Sequence, residues 1–189
     1  MLSTRLLLLL PLFAKAEICT KVTSWAGANY EAALNKDGVT LTSDADLIAE
    51  MGTGDLNISR IQTSSNLRVS GARFTLSSSD SSKVTPAHGV SYEGDEAPIH
   101  RDVSPTSHVT GIGVMMISDD DSIPWVTSFD FFYSNGGQSG NMGNLIGDWN
   151  YVNLTAYDPS AYLLGLNTLD TQNDGGYIYA HQFIYGYEC

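Results

Sequence analysis

The segment from Asp170 to Tyr177 combines carboxylates, an amide, glycines and an aromatic ring. Asp and Asn side chains bind sugar hydroxyl groups, an aromatic ring stacks on a pyranose face, and glycine lets the backbone approach a ligand. These residue types predict a sugar-binding loop with Asp170, Asn173, Asp174 and Tyr177 as ligand contacts. Trp149 is a second candidate stacking platform. For both aromatic side chains, packing in the core or in a turn is the alternative interpretation.

Three consecutive aspartates, Asp119, Asp120 and Asp121, crowd like charges between two predicted strands. Solvent or a cation must relieve that repulsion, and hard oxygen ligands on a loop suit Ca²⁺. The spacing is not that of an EF-hand. A calcium site and a solvated acidic loop are therefore both open interpretations.

No catalytic constellation stands out in the sequence. The histidines His88, His100, His108 and His181 lack a metal-ligand spacing such as H-x-x-x-H. There is no G-x-S-x-G motif, and aspartate pairs are common by chance in so acidic a chain. We therefore expect a protein that is not an enzyme.

Residues 1–16 have the features of a secretory signal, and Glu17 is the expected mature N-terminus. Arg5 supplies the positive charge, a leucine-rich run follows, and Ala14-Lys15-Ala16 is a small-x-small cleavage site. The apolar run is too short to span a bilayer, so a secreted or surface-exposed product without membrane insertion is predicted. The net charge of −12, from 9 basic and 21 acidic residues, argues against nucleic acid and anionic lipid as partners.

The only two cysteines are Cys19 and Cys189. In an oxidising compartment they are expected to form one disulfide, the alternative being free or intermolecular thiols. Two sequons, at Asn57 and Asn153, are acceptors for N-glycosylation if the host glycosylates.

The hydrophobic pattern predicts an all-β fold. Helical periodicity is confined to Asp44–Met51, with Ser43 or Asp44 as N-cap and Gly52 as the stop. Elsewhere short apolar segments alternate with Gly, Ser, Asn, Asp and Pro, which predicts these strands: Leu56–Ile61, Gly71–Leu76, Ile99–Val103, Val109–Ile117, Trp125–Tyr133, Tyr151–Ala156, Ala161–Asn167 and Ile178–Tyr185.

Trp125–Tyr133 is the most informative of the predicted strands. Strict alternation would place Val126, Ser128 and Asp130 on one face, and on the other Trp125, Thr127, Phe129, Phe131 and Tyr133. We expect Trp125, at the head of the strand, to belong to the core.

Several motifs resemble, in order, those of a discoidin domain, the coagulation-factor C-type module: Ile61-Gln62-Thr63-Ser64-Ser65, Ala72-Arg73-Phe74, Val109-Thr110-Gly111-Ile112, Trp125-Val126-Thr127-Ser128-Phe129 and Tyr133-Ser134-Asn135-Gly136-Gly137. Arginines of the family's later strands are replaced, by Tyr162, Gly165 and His181. The resemblance implies a jelly-roll β-sandwich over residues 58–189 with ligand loops at one end. Residues 17–57 would be an N-terminal extension or the first strands.

A weak internal repeat, the echo of one sequence pattern in three segments, predicts an alternative fold. The segments Val69–Phe74, Val126–Phe131 and Ile178–Phe183 share a β-branched–x–small–x–x–Phe pattern, and each follows an earlier apolar strand. Three such pairs resemble the three-fold β-prism of jacalin-like lectins. The aspartate that those sugar sites use has no counterpart, since Ser70, Thr127 and Tyr179 stand at the matching positions.

The resulting functional hypothesis is a secreted, non-catalytic module that recognises glycans or glycoproteins through loops at one end of the fold. Because single sugar sites are usually weak, a homo-oligomer with avidity is part of that hypothesis. The alternative is a structural subunit of an extracellular coat or filament, which the ten tyrosines would suit.

Overall fold

The computed structural model describes residues 17–27, 30–65, 69–89, 99–117, 124–171 and 177–189. Within these ranges the chain is mostly strand, with α1 at Tyr30–Leu34, α2 at Ala45–Met51 and a 3-10 turn at Leu154–Ala156. The strands are β1 Ile18–Val22, β2 Ala26–Gly27, β3 Val39–Ser43, β4 Asn57–Ser65, β5 Val69–Ser77, β6 Ser82–Val84, β7 His88–Gly89, β8 Ile99–Asp102, β9 Val109–Ile117, β10 Trp125–Tyr133, β11 Met142–Gly143, β12 Asp148–Asn153, β13 Tyr162–Thr171 and β14 Ile178–Glu188.

These strands form three antiparallel sheets. Sheet I has the order β1-β14-β13-β3, with β2 also paired to β14; sheet II has the order β6-β5-β4-β8, with β7 paired to β5; sheet III has the order β11-β10-β9-β12. Each sheet is built on a central pair of long strands, β13 with β14, β4 with β5, and β9 with β10. Shorter strands flank each pair.

The inner faces of the three sheets share one apolar core. Fully buried members come from every sheet, among them Phe74 of sheet II, Phe131 of sheet III and Phe183 of sheet I. Phe74 and Phe131 meet edge to face across two sheets, with ring centroids 6.1 Å apart. Burying such a side chain stabilises the fold by roughly 1.5–3 kcal/mol, so the core holds the three sheets together as a prism.

The three-fold β-prism alternative is therefore confirmed, and the discoidin-like jelly-roll sandwich is not the fold. A jelly roll packs two sheets face to face, whereas this chain folds into three sheets around a common core. The three echoing segments lie in β5, β10 and β14, the second strand of each central pair. The motif at Trp125–Tyr133 misled because a buried aromatic strand next to a glycine turn is shared by many β folds.

A β-bulge in β10 breaks the predicted alternation of faces. The register to β9 shifts between Val126 and Ser128, so Val126 and Phe129 both enter the main core. The Thr127 hydroxyl donates to the carbonyls of Met115, at 3.3 Å, and Ile146, at 2.7 Å. Trp125 is buried in a second, smaller cluster, as a core residue should be.

Residues 17–57 contribute β1, β2 and β3 to sheet I. The predicted disulfide is confirmed: Cys19 and Cys189 are bonded, with Cα atoms 5.8 Å apart. The predicted signal at residues 1–16 lies outside the described residues. Among the helices of the described ranges, none is long and apolar enough to cross a membrane.

Candidate functional site

One end of the prism gathers the connections that the sequence singles out. Ile117 at the end of β9 pairs with Trp125 at the start of β10, so the described residues on either side of segment 118–123 lie together at this end. The ring of Trp125 lies 5.7 Å from that of Tyr177, which precedes β14. Asp148 at the start of β12 pairs with Met116, beside the same connection. The acidic segment and the Asp170–Tyr177 segment are thus both attached to one end of the molecule.

A second hydrophobic cluster supports this end. Its buried members are Ala33, Trp125, Leu169, Tyr179 and Ala180, with Trp25, Val39, Ile117 and Tyr177 packed against them. The cluster joins α1 to sheets I and III at this end. Tyr177 is therefore half-buried, and its ring packs between those of Trp125 and Tyr179.

An open groove of about 600 Å³ lies between β2 of sheet I and β12 of sheet III. Met116 and Ile117 contribute apolar surface to it, while the exposed Asp148 and Asn150 contribute a carboxylate and an amide. Gly27, on the opposite wall, has no side chain. Apolar surface with a few polar groups suits a sugar, whose hydroxyls need hydrogen bonds and whose C–H faces need apolar contact.

The structure places Trp149 on the outer face of sheet III. Its ring stacks on that of Tyr151, with centroids 5.7 Å apart and planes 20° apart. Asp148 and Asn150, which line the groove, alternate with it along β12. Sequence reasoning singled out the indole but missed these two neighbours, although the strand's alternation was the available signal.

Asp170 lies inside sheet I and not on its surface. Its side chain is fully buried, and its carboxylate accepts hydrogen bonds from the hydroxyls of Thr42, at 3.2 Å, and Thr168. Next to it, the Tyr177 amide donates to the Thr171 hydroxyl at 2.9 Å, which closes the neck of the hairpin. Asp170 is therefore positioned to hold the hairpin loop and not to touch a ligand.

The remaining predicted site residues lie outside the described ranges. These are Asn173 and Asp174 in the hairpin loop and the calcium candidates Asp119, Asp120 and Asp121. Within the described ranges, no group of three or more His, Cys, Asp or Glu side chains is arranged to hold a metal ion. Calcium at the three aspartates stays a prediction.

A buried series of hydrogen bonds, Asp44–His88–Thr168, has the residue types of an acid–base–nucleophile arrangement. His88 Nε2 lies 2.8 Å from Asp44 Oδ1, and His88 Nδ1 lies 2.8 Å from the Thr168 hydroxyl oxygen. All three side chains are fully buried, and the Thr168 hydroxyl donates to Asp170. Because no substrate can reach this hydroxyl in the folded protein, the series joins α2, β7 and β13 and serves the fold.

The fold is that of the jacalin-related lectins. A mannose-binding lectin from champedak superposes with a TM-score of 0.62 at 14% identity, covering 88% of this chain and 96% of that one. AcmJRL, a mannose-binding jacalin-related lectin from Ananas comosus, gives 0.61 at 10% identity, covering 90% and 99%. A mannose-specific jacalin-related lectin from Morus nigra, in complex with mannose, gives 0.63 at 12% identity, covering 88% and 94%.

No protein-family model matches the sequence, and no curated protein matches it either. At identities of 10–14% the likeness establishes the shared fold. What those lectins bind is a property of those proteins.

Proposed function

We propose that this protein is a secreted, non-catalytic glycan-binding module. The observation that carries the proposal is the open groove between β2 and β12, at the end of the prism where the Asp170–Tyr177 hairpin and segment 118–123 are attached. Several proteins that share the fold are mannose-binding lectins, which supports a carbohydrate as the ligand.

Asp148 and Asn150 are the groove residues expected to bind sugar hydroxyls. Both are exposed, and both carry oxygen acceptors that can accept from neighbouring hydroxyl groups. Tyr177, Asn173 and Asp174 would contribute from the hairpin, and Asp170 would act by fixing its neck. Thr127 and Tyr179, which stand at positions matching the aspartate of jacalin-like sugar sites, are buried and carry no carboxylate, so the hydroxyl contacts are assigned to the groove residues.

A glycan array tests the proposal on the mature chain, from Glu17 onward, with mannosides included. It should be run with Ca²⁺ and again with chelator. Selective binding is expected, and its loss on chelation would assign calcium a role and make Asp119–Asp121 the next residues to mutate. Absence of glycan binding at high protein concentration would refute the proposal.

A double variant locates the ligand. Asp148→Ala with Asn150→Ala removes two hydrogen-bonding groups, each worth roughly 1–3 kcal/mol, so affinity should fall by about tenfold or more. The matched control is Asp80→Ala, an exposed aspartate in the loop between β5 and β6. Selective binding that survives the double variant would place the sugar elsewhere.

Self-association as a coat or filament subunit is the second hypothesis. Light scattering of the mature protein over a range of concentrations separates the two. A strictly monomeric protein would count against the structural role, whereas a small closed oligomer with glycan affinity fits the lectin hypothesis through avidity.

A further inference from the structure

The outer face of sheet III presents a cluster of aromatic rings to solvent. Trp149 and Tyr151 stack at 5.7 Å, and the ring of Phe132 lies 6.0 Å from that of Tyr151. Tyr151 is 65% exposed. We call Phe132, Trp149 and Tyr151 the aromatic face.

Glycines of β9 lie beneath these rings. A Cβ at Gly113 would meet Tyr151 at 3.0 Å and Trp149 at 3.1 Å, and one at Gly111 would meet Phe132 at 3.5 Å. The rings therefore lie over bare backbone.

Asn153 shares this face. It follows Tyr151 by two residues in β12, so the two side chains point to the same side of the sheet. Across the sheet, Asn153 pairs with Gly111, and Gly111 pairs with Phe132. Two strand spacings, about 10 Å, separate the backbones of Phe132 and Asn153. The Phe132 ring leans over Gly111 between them, so it and Tyr151 present apolar ring surface within reach of a first sugar on Asn153.

The Asn153 side chain is set up for modification at nitrogen. Its Oδ1 accepts from the Thr155 amide at 3.1 Å and from the Thr155 hydroxyl at 2.7 Å. The residue is exposed, and within the described ranges its Nδ2 donates to no other residue. A sugar on Nδ2 would break no bond of the fold.

In the other sequon, the Asn57 side chain is hydrogen-bonded within the fold. Asn57 Nδ2 donates to the Ser107 carbonyl at 3.0 Å, and Asn57 Oδ1 lies 3.1 Å from His108 Nδ1. The residue is only partly exposed. A glycan there would remove these bonds and displace the Ser107–His108 segment.

We propose that the folded protein carries an N-linked glycan on Asn153 and none on Asn57, and that the first sugar packs against Tyr151 and Phe132. In the transfer, Asn153 Nδ2 bonds to C1 of the sugar of a polyisoprenoid pyrophosphate oligosaccharide. The C1–O bond to pyrophosphate breaks, the lipid pyrophosphate leaves, and a base takes the amide proton. The C–H face of the sugar then covers apolar ring surface that otherwise faces water.

This inference rests on secretion of the chain and not on glycan recognition in the groove, although Tyr151 lies at the edge of both surfaces. The groove variants leave Asn153 untouched, so either proposal can fail alone.

Site mapping is the first test. The full chain is expressed in a eukaryotic host, and peptides of the secreted protein are analysed by mass spectrometry before and after amidase release of N-glycans. The expected result is modification of Asn153 with Asn57 unmodified. An unmodified Asn153, a modified Asn57 or a chain that never enters the secretory pathway would each overturn the proposal.

Thermal unfolding tests the packing. Secreted protein trimmed to the first sugar is compared with the same polypeptide from a bacterial periplasm, which adds no glycan. The trimmed form should have a Tm about 2–4 °C higher, the shift that one well-packed contact gives in a chain of this size. Tyr151→Ala should abolish that difference, whereas Tyr157→Ala, a 55% exposed tyrosine outside the aromatic face, should preserve it. A difference that persists in Tyr151→Ala contradicts the packing.

Discussion

His181 is a histidine enclosed by the apolar core of sheet I. Its side chain is 1% exposed, its ring lies 5.2 Å from that of Phe183, and within the described ranges neither ring nitrogen has a hydrogen-bond partner. Burial away from water disfavours the charged imidazolium and lowers the pKa of His181 to about 4. The folded protein therefore holds this ring neutral at pH values where the unfolded chain binds a proton.

The first prediction concerns acid stability. Between pH 6.5 and about 4, His181 binds a proton in the unfolded chain but not in the native state. The free energy of unfolding therefore falls as pH falls through this window. The loss should reach about 3 kcal/mol at the bottom of that window. His181→Leu should flatten this part of the profile in urea unfolding at stepped pH. An equally steep profile in the variant would show that other groups cause it.

Residue types alone misassigned Asp170 and missed Asp44 and His88. An aspartate beside a glycine-rich loop suits a ligand contact, but the strand carries it into the sheet, where Thr42 and Thr168 bind it. Asp44 and His88 are 44 positions apart in the chain, and His88 and Thr168 are 80 apart. Only the pairing of distant strands brings them together, so no local pattern could reveal the network.

At the scale of elements, α2 is attached to sheet I by its first residues. Asp44 stands at the N-cap position, but its side chain makes no capping bond; instead its Oδ2 accepts from the Leu166 amide at 2.9 Å. Ser43 Oγ accepts from the Ala45 amide in its place. A short helix of this length depends on such tertiary contacts.

We therefore expect Asp44→Ala to destabilise the protein by about 3–5 kcal/mol, because it leaves buried His88 and the Leu166 amide without their acceptor. Asp46→Ala removes an exposed aspartate two residues further along, in the first turn of α2, and should change stability by no more than about 0.5 kcal/mol. Chemical denaturation measures both. Similar losses in the two variants would refute the anchoring role.

Gly147 sets the entry of β12 beside the groove. It has φ +122°, and a Cβ there would lie 2.0 Å from the Met116 carbonyl oxygen. Gly136 has φ +84° with open space around it. Alanine at either position introduces backbone strain of about 1 kcal/mol. Gly147→Ala should destabilise the protein by about 2 kcal/mol or more beyond Gly136→Ala, because β12 must shift away from the Met116 carbonyl. Thermal unfolding compares the pair, and equal losses would argue that the clash relaxes freely.

The strands predicted most accurately are central ones in which most side chains are buried. β9 and β10 have the predicted bounds, since both are central strands rich in aromatic and β-branched residues. β1, β2, β3, β6, β7 and β11 were missed; β1, β3, β6 and β11 are edge strands, and β2 and β7 have two residues each. An edge strand such as β3, whose Leu41 is 62% exposed, lacks the alternation that reveals a half-buried sheet.

At the scale of the whole molecule, the three echoing segments carried more information than the order of motifs. Each marks one central strand pair, and three pairs around one core make a prism. The discoidin-like motifs are local and describe a single strand and its turn. Sheet number depends on which strands pair, and that is a property of long-range contacts.

The disulfide closes almost the whole chain into a loop, since its cysteines are separated by 170 positions in the sequence. In the chain-entropy account such a crosslink restricts the unfolded state, and its removal typically costs about 2–5 kcal/mol. We expect the double variant Cys19→Ser, Cys189→Ser to have a Tm lower by about 2–4 °C per kcal/mol lost. Calorimetry should give the reduced protein and the double variant similar Tm values, both below that of the oxidised protein. A reduced protein as stable as the oxidised one would show that β1 is held by pairing alone.

The bond between Cys19 and Cys189 also decides what a protease can achieve. A single cut of the backbone in any loop between the two cysteines leaves both pieces on one covalent molecule, still joined beside the β1–β14 pairing. Such a nicked protein would migrate as one species on a gel without reductant and as two fragments with it. Damage to the loops at the groove end would therefore not release either half of the chain.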